Sequence, residues 1–251
     1  MKFQISNLKF QITAVLLLYI SSAAFADDSI WNRVFFLDFQ AIGGAIIEDP
    51  VKTGAITAGF GLTTYLLMKN DLWLSEKMRQ SPDKFKDGLF DAFNYAGEGV
   101  PVLAADTLLF SLGGEKEKKA AVSIVEGLAV SGAIVTAIKW AFGRVRPSHT
   151  DDPLEFKWLT VGDTSYPSGH TQTAFLCATI LGDRYDIGWL TYPAAAMTGL
   201  ARIYKRAHWP SDVLLGAVIG VVTGKVINNL DAQKDVKVSI NPGGLEFAYS
   251  F

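Results

Sequence analysis

The sequence predicts an all-α protein, a helical bundle that ends in a short C-terminal β-hairpin. Apolar residues come in long stretches rich in Ala, Leu, Gly and Val rather than in strict alternation, which favours helices over strands. Charged or turn-forming runs such as 113–119 and 147–167 separate these stretches and are typical of loops within one domain. Hydrophobic residues make up 49% of the 251 residues, a share high enough to leave contact with a membrane open.

The N-terminal segment, residues 1–26, has the features of an export signal peptide. Two lysines precede an apolar stretch at 10–20, and an Ala-Phe-Ala sequence at 24–26 has the form of a cleavage site. An uncleaved anchor is the alternative, although the apolar stretch is shorter than the roughly 20 residues of a spanning helix. We therefore expect an exported single domain, 27–251, in the periplasm or the cell envelope membrane.

The predicted elements follow from the same pattern. Their uncharged runs are about 12 to 18 residues long, below the usual spanning length, so a membrane-embedded bundle and a helical globule both stay open. The tail alternates partly on either side of an Asn-Pro-Gly-Gly turn at 241–244, which predicts the hairpin. The predicted helices are 51–69, 98–112, 118–142, 168–182, 187–205 and 210–229.

Three short clusters carry the candidate chemistry. Together they supply three cations, two imidazoles and a carboxylate, the groups needed to hold a phosphate, attack its phosphorus and protonate the leaving oxygen. The net charge is −2, so these cations are a local feature and no nucleic-acid partner is expected. The clusters are Lys139 with Arg146 and Pro147, then Pro167, Ser168, Gly169 and His170, then Arg202, His208 and Asp212.

The spacing of the first cluster suggests one helix face. Lys139 and Arg146 are seven positions apart, about two turns, and would share a face of a helix that continues to Pro147. Taken alone, these residues with Arg144 also fit a basic helix end that complements the helix dipole.

The second and third clusters fit helix starts. Ser168 is a credible N-cap, and Gly169 lets the backbone approach an anion that His170 could also reach. Pro210 is expected to begin a helix that has Asp212 in its first turn. Asp212 can then accept the Nδ1 proton of His208 and leave Nε2 unprotonated. Each cluster alone also fits an ordinary helix terminus.

In this order, the clusters resemble the signature of the type 2 phosphatidic acid phosphatase superfamily, which also contains class A acid phosphatases and vanadium haloperoxidases. The signature reads Lys, six residues, Arg-Pro; Pro-Ser-Gly-His; then Ser-Arg, five residues, His, three residues, Asp. The sequence departs from it at one position, because Ala201 stands where the family has Ser. The resemblance spans 139–212.

The resemblance implies a helical-bundle phosphatase that needs no metal or other cofactor and works through a phosphohistidine. It makes His208 the nucleophile, Asp212 its orienting group and His170 the general acid. A neutral His208 and a protonated His170 together predict a bell-shaped pH profile. The groups expected to hold the phosphoryl oxygens are Lys139, Arg146, Ser168, Gly169 and Arg202.

The expected substrate is a lipid phosphate, since apolar helices lie beside the site. Undecaprenyl pyrophosphate, phosphatidic acid, phosphatidylglycerol phosphate and a lipid A phosphate all remain candidates. The main alternative is a periplasmic acid phosphatase for small soluble esters, followed by a vanadate-dependent peroxidase and a non-catalytic protein that binds lipid phosphate. The sequence does not indicate an oligomeric state.

Overall fold

The computed structural model describes residues 61–79, 84–160, 162–232, 235–241 and 244–250, and most of them are helical. The predicted helical bundle is thus confirmed. The predicted signal peptide, 1–26, lies outside the described residues, as does the part of the predicted helix 51–69 before residue 61. The helices are a stretch at 61–68, α1 (Asp71–Arg79), α2 (Lys84–Ala96), α3 (Gly99–Leu112), α4 (Glu115–Phe142), α5 (Gly169–Tyr185), α6 (Gly188–Tyr204) and α7 (Pro210–Ala232).

The sequence does not predict α1 and α2, and their composition explains why. Charged residues recur through both helices, and α2 buries none of its side chains. Neither helix therefore contains a long apolar run. The five predicted helices from 98–112 onward correspond to α3–α7, with ends that differ by up to three residues.

Beyond α7, strands β1 (Asp235–Asn241) and β2 (Gly244–Ser250) pair antiparallel, with Val238 opposite Phe247. A two-stranded ribbon is only marginally stable by itself. β1 also contacts α4 and α7, but only the helical bundle is confirmed, and the C-terminal hairpin stays a prediction.

Close contact between α5 and α7 organises the bundle around α5, which also packs on α4 and α6. Gly216, Gly220 and Gly224 form a stripe along α7 at four-residue spacing. A Cβ at Gly216 would lie 2.4 Å from the carbonyl oxygen of Ser168, and one at Gly220 would lie 2.4 Å from that of Gln172. Because these distances are too short for any side chain, the glycines allow backbone-to-backbone contact between the helices.

Helix α4 ends where the predicted helix 118–142 ends, before Arg146. It stops at Phe142, and Gly143 follows in the left-handed conformation with φ of 56°. A Cβ at Gly143 would lie 1.9 Å from the carbonyl oxygen of Lys157, so this turn requires glycine. The expectation that Lys139 and Arg146 share one helix face is therefore wrong, because the chain leaves the helix between them.

Two helices, Glu115–Phe142 and Pro210–Asp231, are long and apolar enough to cross a membrane by length and composition. These helices are α4 and α7, and the C-terminal end of α4 lies near the N-terminal end of α7, where Arg144 contacts Ser211. Several large apolar side chains in the described part of the chain are exposed, including Leu112, Trp189 and Val222. These features fit membrane association, although core helices can pass the same length test.

We expect Gly220→Ala to destabilise the protein. Its Cβ would meet the backbone of Gln172 and Leu176 at 2.4 and 2.8 Å, and such overpacking typically costs about 1–3 kcal/mol. Gly132→Ala in α4 is the matched control, because nothing lies within 4 Å of its Cβ. Alanine there should be neutral or stabilising by up to about 1 kcal/mol. Thermal unfolding in detergent compares the two variants, and equal midpoints would contradict the close contact.

Candidate active site

The three sequence clusters meet at one end of the bundle. The charges of Lys139, Arg146 and Arg202 all act on the imidazole of His170, so the three cations lie near this side chain. The predicted residues occupy helix ends and connections: Lys139 in the last turn of α4, Arg146 after α4, Ser168 as N-cap of α5 with Gly169 and His170 following, Arg202 in the last turn of α6, His208 between α6 and α7, and Asp212 in the first turn of α7.

His208 is buried and has two acceptors on its Nδ1 side. Nδ1 lies 2.6 Å from the carbonyl oxygen of Ser165 and 3.7 Å from Oδ2 of Asp212. A carbonyl oxygen can only accept, so Nδ1 carries the proton and Nε2 keeps a lone pair. Nε2 lies 3.4 Å from Nη1 of Arg146. This is the tautomer that a nucleophilic imidazole needs.

The hydrogen bond that fixes this tautomer comes from Ser165, which the sequence does not single out. A backbone carbonyl in a connecting segment leaves no signature in residue type, so no sequence signal could have identified it. Asp212 lies at ion-pair distance from the imidazole. From there its charge favours the imidazolium form of His208.

Asp212 is fully buried and fixed from several sides. Its Oδ2 accepts a 2.8 Å hydrogen bond from the backbone N–H of Trp209, and its carbonyl oxygen accepts one of 3.0 Å from the N–H of Ser168. Its Oδ1 lies 2.5 Å from Nη1 of Arg144. Arg144 is thus a buried partner of Asp212 beyond the end of α4, and its interpretation as part of a basic helix end is wrong.

The three cations of the site are held mainly by neutral acceptors. Lys139 Nζ donates to the carbonyl oxygen of Thr164 at 2.6 Å, and Arg146 Nη1 donates to that of Ala207 at 2.8 Å. Arg146 also pairs with Asp163, and Arg202 donates to the side-chain oxygen of Asn94. Within the described ranges, Nε of Arg202 is buried without a hydrogen-bond partner. The cluster therefore keeps positive charge available for an anion.

The N-terminus of α5 adds uncharged donors to this site. Ser168 Oγ accepts hydrogen bonds from the N–H and hydroxyl of Thr171, at 3.4 and 2.8 Å, and keeps its own proton to donate. The first N–H groups of a helix have no intrahelical acceptor and favour anions. A Cβ at Gly169 would meet only Val135, at 4.0 Å, so this residue leaves the approach to the backbone open.

Both imidazoles are neutral at neutral pH when only protein groups surround them. Burial lowers the pKa of His208 to about 4, and the nearby Asp212 opposes this change. Burial, followed by the charge of Arg202, lowers the pKa of His170 to about 3. His170 therefore needs a bound anion to become the protonated general acid that the sequence predicts.

Ala201, the departure from the signature, is fully buried and precedes Arg202 in the last turn of α6. The methyl group offers no hydroxyl contact to a ligand. Among the residues that the structure describes, no group of three or more His, Cys, Asp and Glu side chains is placed to hold a metal ion.

The predicted site residues lie in a segment that matches a known protein family. Residues 120–234 match the model of the PAP2 superfamily. These residues form a PAP2 superfamily domain. The match covers all eight site residues and ends before β1, and Asp71 and Asn94 lie outside it.

Individual relatives agree with the domain match. The lipid A 1-phosphatase of Porphyromonas gingivalis is 41% identical over 113 residues, which are 43% of this chain and 23% of that protein. The crystal structure of Aquifex aeolicus LpxE has a TM-score of 0.53 and 26% identity, and the match covers 63% of this chain and 94% of that one. The chain spans less than half the length of the curated lipid A 1-phosphatases that it matches.

A second solved structure supports the fold alone. The transmembrane PAP2 type phosphatidylglycerolphosphate phosphatase of Bacillus subtilis has a TM-score of 0.55 with 16% identity. The match covers 70% of this chain and 96% of that one. The PAP2 domain here thus has the helical arrangement of known PAP2 phosphatases.

We expect inorganic phosphate to raise the pKa of His170 by at least about one unit, because an anion within about 4–6 Å favours the imidazolium. The groups that act on His170 are Arg202, His208, Arg146 and Lys139, and a bound phosphate offsets their repulsion. NMR titration of ¹⁵N-labelled histidine can follow this change, since the chain has three histidines. A His170→Gln variant assigns the signal, and an unchanged titration would contradict the role of His170.

Proposed function

We propose that this protein is a metal-independent phosphatase that removes a phosphate group from a lipid phosphate or diphosphate through a phosphohistidine on His208. The observation that carries the proposal is the tautomer of His208, which has Nδ1 bonded to the Ser165 carbonyl and Nε2 beside Arg146. The similarity of the PAP2 domain to lipid A 1-phosphatases supports it.

In the first step, the Nε2 lone pair of His208 attacks phosphorus and the bond from phosphorus to the ester oxygen breaks. His170, protonated once the phosphate is bound, gives its proton to the departing oxygen. Asp212 stabilises the imidazolium that forms at His208. Such proton transfer typically contributes about 100-fold to 10,000-fold to the rate.

In the second step, water attacks the phosphohistidine, His170 takes a proton from the water, and the N–P bond breaks. His208 regains its lone pair and inorganic phosphate leaves. In both steps Lys139, Arg146 and Arg202 offset the charge on the phosphoryl oxygens. Because these cations are already anchored, they stabilise the transition state with little reorganisation.

A lipid substrate fits the surroundings of the site. Trp140, Trp158 and Leu159 are exposed near the end of α4, with exposed fractions of 49%, 62% and 65%. The N–H of Leu159 donates to the carbonyl oxygen of Ala141, which holds the connecting segment against that helix. Tryptophan is enriched where membrane meets water. A bilayer at this level would present its phosphate groups to the site.

We propose that the site faces the periplasm, since the N-terminal segment has the features of an export signal. Among the lipid candidates, the similarity to lipid A 1-phosphatases favours a lipid A phosphate. Undecaprenyl pyrophosphate, phosphatidic acid and phosphatidylglycerol phosphate remain alternatives. An acid phosphatase for soluble esters remains the second candidate, because the short uncharged runs of the sequence and an export signal fit it as well.

We expect His208→Ala to lower phosphate release at least about 1,000-fold, because the nucleophile is lost. Wild type and variant are each offered detergent-dispersed lipid A, phosphatidic acid, undecaprenyl pyrophosphate and para-nitrophenyl phosphate. His149→Ala is the matched control, since His149 is exposed, and it should retain wild-type turnover. Brief reaction with ³²P-labelled substrate should also label wild type, but not His208→Ala, with an acid-labile phosphoryl group.

Turnover of lipid substrates alone would support the lipid phosphatase. Preferential turnover of para-nitrophenyl phosphate would favour the acid phosphatase instead. Phosphate release that persists in His208→Ala would contradict the proposed nucleophile.

A further inference from the structure

Arg144 lies behind the site and is fully buried. All five of its N–H donors are used, and a guanidinium holds these donors in one rigid plane. Arg144 therefore fixes its partners relative to one another. Nε and Nη2 donate to the carbonyl oxygen of Pro153 at 2.9 and 2.5 Å, Nη1 donates to Ser211 Oγ at 2.7 Å and Asp212 Oδ1 at 2.5 Å, and Nη2 also donates to Asp71 Oδ2 at 2.8 Å.

Asp71, the first residue of α1, closes this network from outside the PAP2 domain. It is fully buried, and its Oδ1 accepts the backbone N–H of Ser211 at 2.9 Å while Oδ2 accepts the Ser211 hydroxyl at 2.5 Å. The pKa of Asp71 is raised, because the effect of burial outweighs the opposing contacts with Ser211 and Arg144. The guanidinium of Arg144 at 2.8 Å favours the charged form of this carboxylate.

The charges of this network bear on His208. The carboxylate of Asp212, 3.7 Å from Nδ1 of His208, favours the imidazolium. Arg144 contacts the same carboxylate at 2.5 Å and weakens that effect. Asp71 offsets the charge of Arg144, so Asp212 keeps one unbalanced negative charge beside His208.

We propose that Asp71 is a positioning residue, which acts through Arg144 to fix Asp212 and to preserve the negative charge of Asp212 beside His208. The inference rests on the proposed function, because it assigns Asp71 a part in the same reaction. It also makes α1, which lies before the PAP2 domain, a contributor to catalysis.

Other charged and titratable groups also face His208, and the test leaves them unchanged. They come from four helices around the site: Lys139 of α4 with Arg146 beyond it, His170 of α5, Arg202 of α6 and Asp212 of α7.

Two single variants should move the acid limb of kcat/KM, the low-pH side of its pH profile that the pKa of His208 sets, in opposite directions. Asp71→Asn removes a negative charge, so the pKa of His208 falls and the limb moves to lower pH by about half a unit or more. Arg144→Gln removes a positive charge, so the limb moves to higher pH. The double variant restores the charge balance and should return the limb to its wild-type position. For Asp71→Asn we also expect kcat to fall about tenfold with little change in KM.

Asp231→Asn is the matched control at the other end of the bundle. Asp231 pairs with Arg184 and accepts a hydrogen bond from Ser123, the same residue types as in the Asp71 network. This variant should keep the wild-type acid limb and kcat. NMR titration of His208 in wild type and the variants gives the same comparison without turnover.

Opposite shifts in the two single variants would support the proposal. If one variant does not fold, the direction of the shift in the other still tests it. Limbs and His208 titrations that coincide with wild type, or that shift in the same direction, would overturn it. Absence of turnover in wild type would instead count against the proposed function, and the NMR titration would still decide the role of Asp71.

Discussion

The close contact between α5 and α7 is the constraint on which the site depends. The glycine stripe lets the two backbones touch, so the start of α7 reaches the start of α5 and the carbonyl of Asp212 meets the N–H of Ser168. One contact thereby places the N-terminus of α5, the proposed phosphate-binding end, beside Asp212, which supports the proposed nucleophile His208. Any side chain along the stripe would separate these two parts before it changed their chemistry.

Backbone carbonyls perform much of the orientation in this site. Those of Thr164, Ala207 and Ser165 hold Lys139, Arg146 and His208 respectively. A carbonyl oxygen directs a donor without cancelling a full charge, so the cations stay oriented and still attract an anion. Carboxylates in the same places would have neutralised the positive charge that phosphate transfer requires.

The sequence predicts the helices from long apolar stretches and cap residues, which are local signals. It predicts the residues that meet only from the joint order and spacing of the three clusters, which resemble a family signature. It predicts that α4 ends at Phe142, but not the left-handed turn at Gly143, which packs against the distant carbonyl of Lys157. The sequence also does not show which charged residues are buried. Arginine usually lies at the surface, but Arg144 lies in the interior. Asp71 stands in a helix without an apolar run, and its contact with Arg144 spans 73 positions of the chain.

The burial of Arg144 also bears on where the catalytic unit begins. A fragment cut to the PAP2 match would start at residue 120 and lack Asp71. One edge of the guanidinium would then face no carboxylate, and the backbone N–H of Ser211 would lose its acceptor, at the start of the helix that carries Asp212. The family match thus marks the shared domain, whereas the contacts that hold the start of α7 in this protein extend upstream to Asp71 in α1.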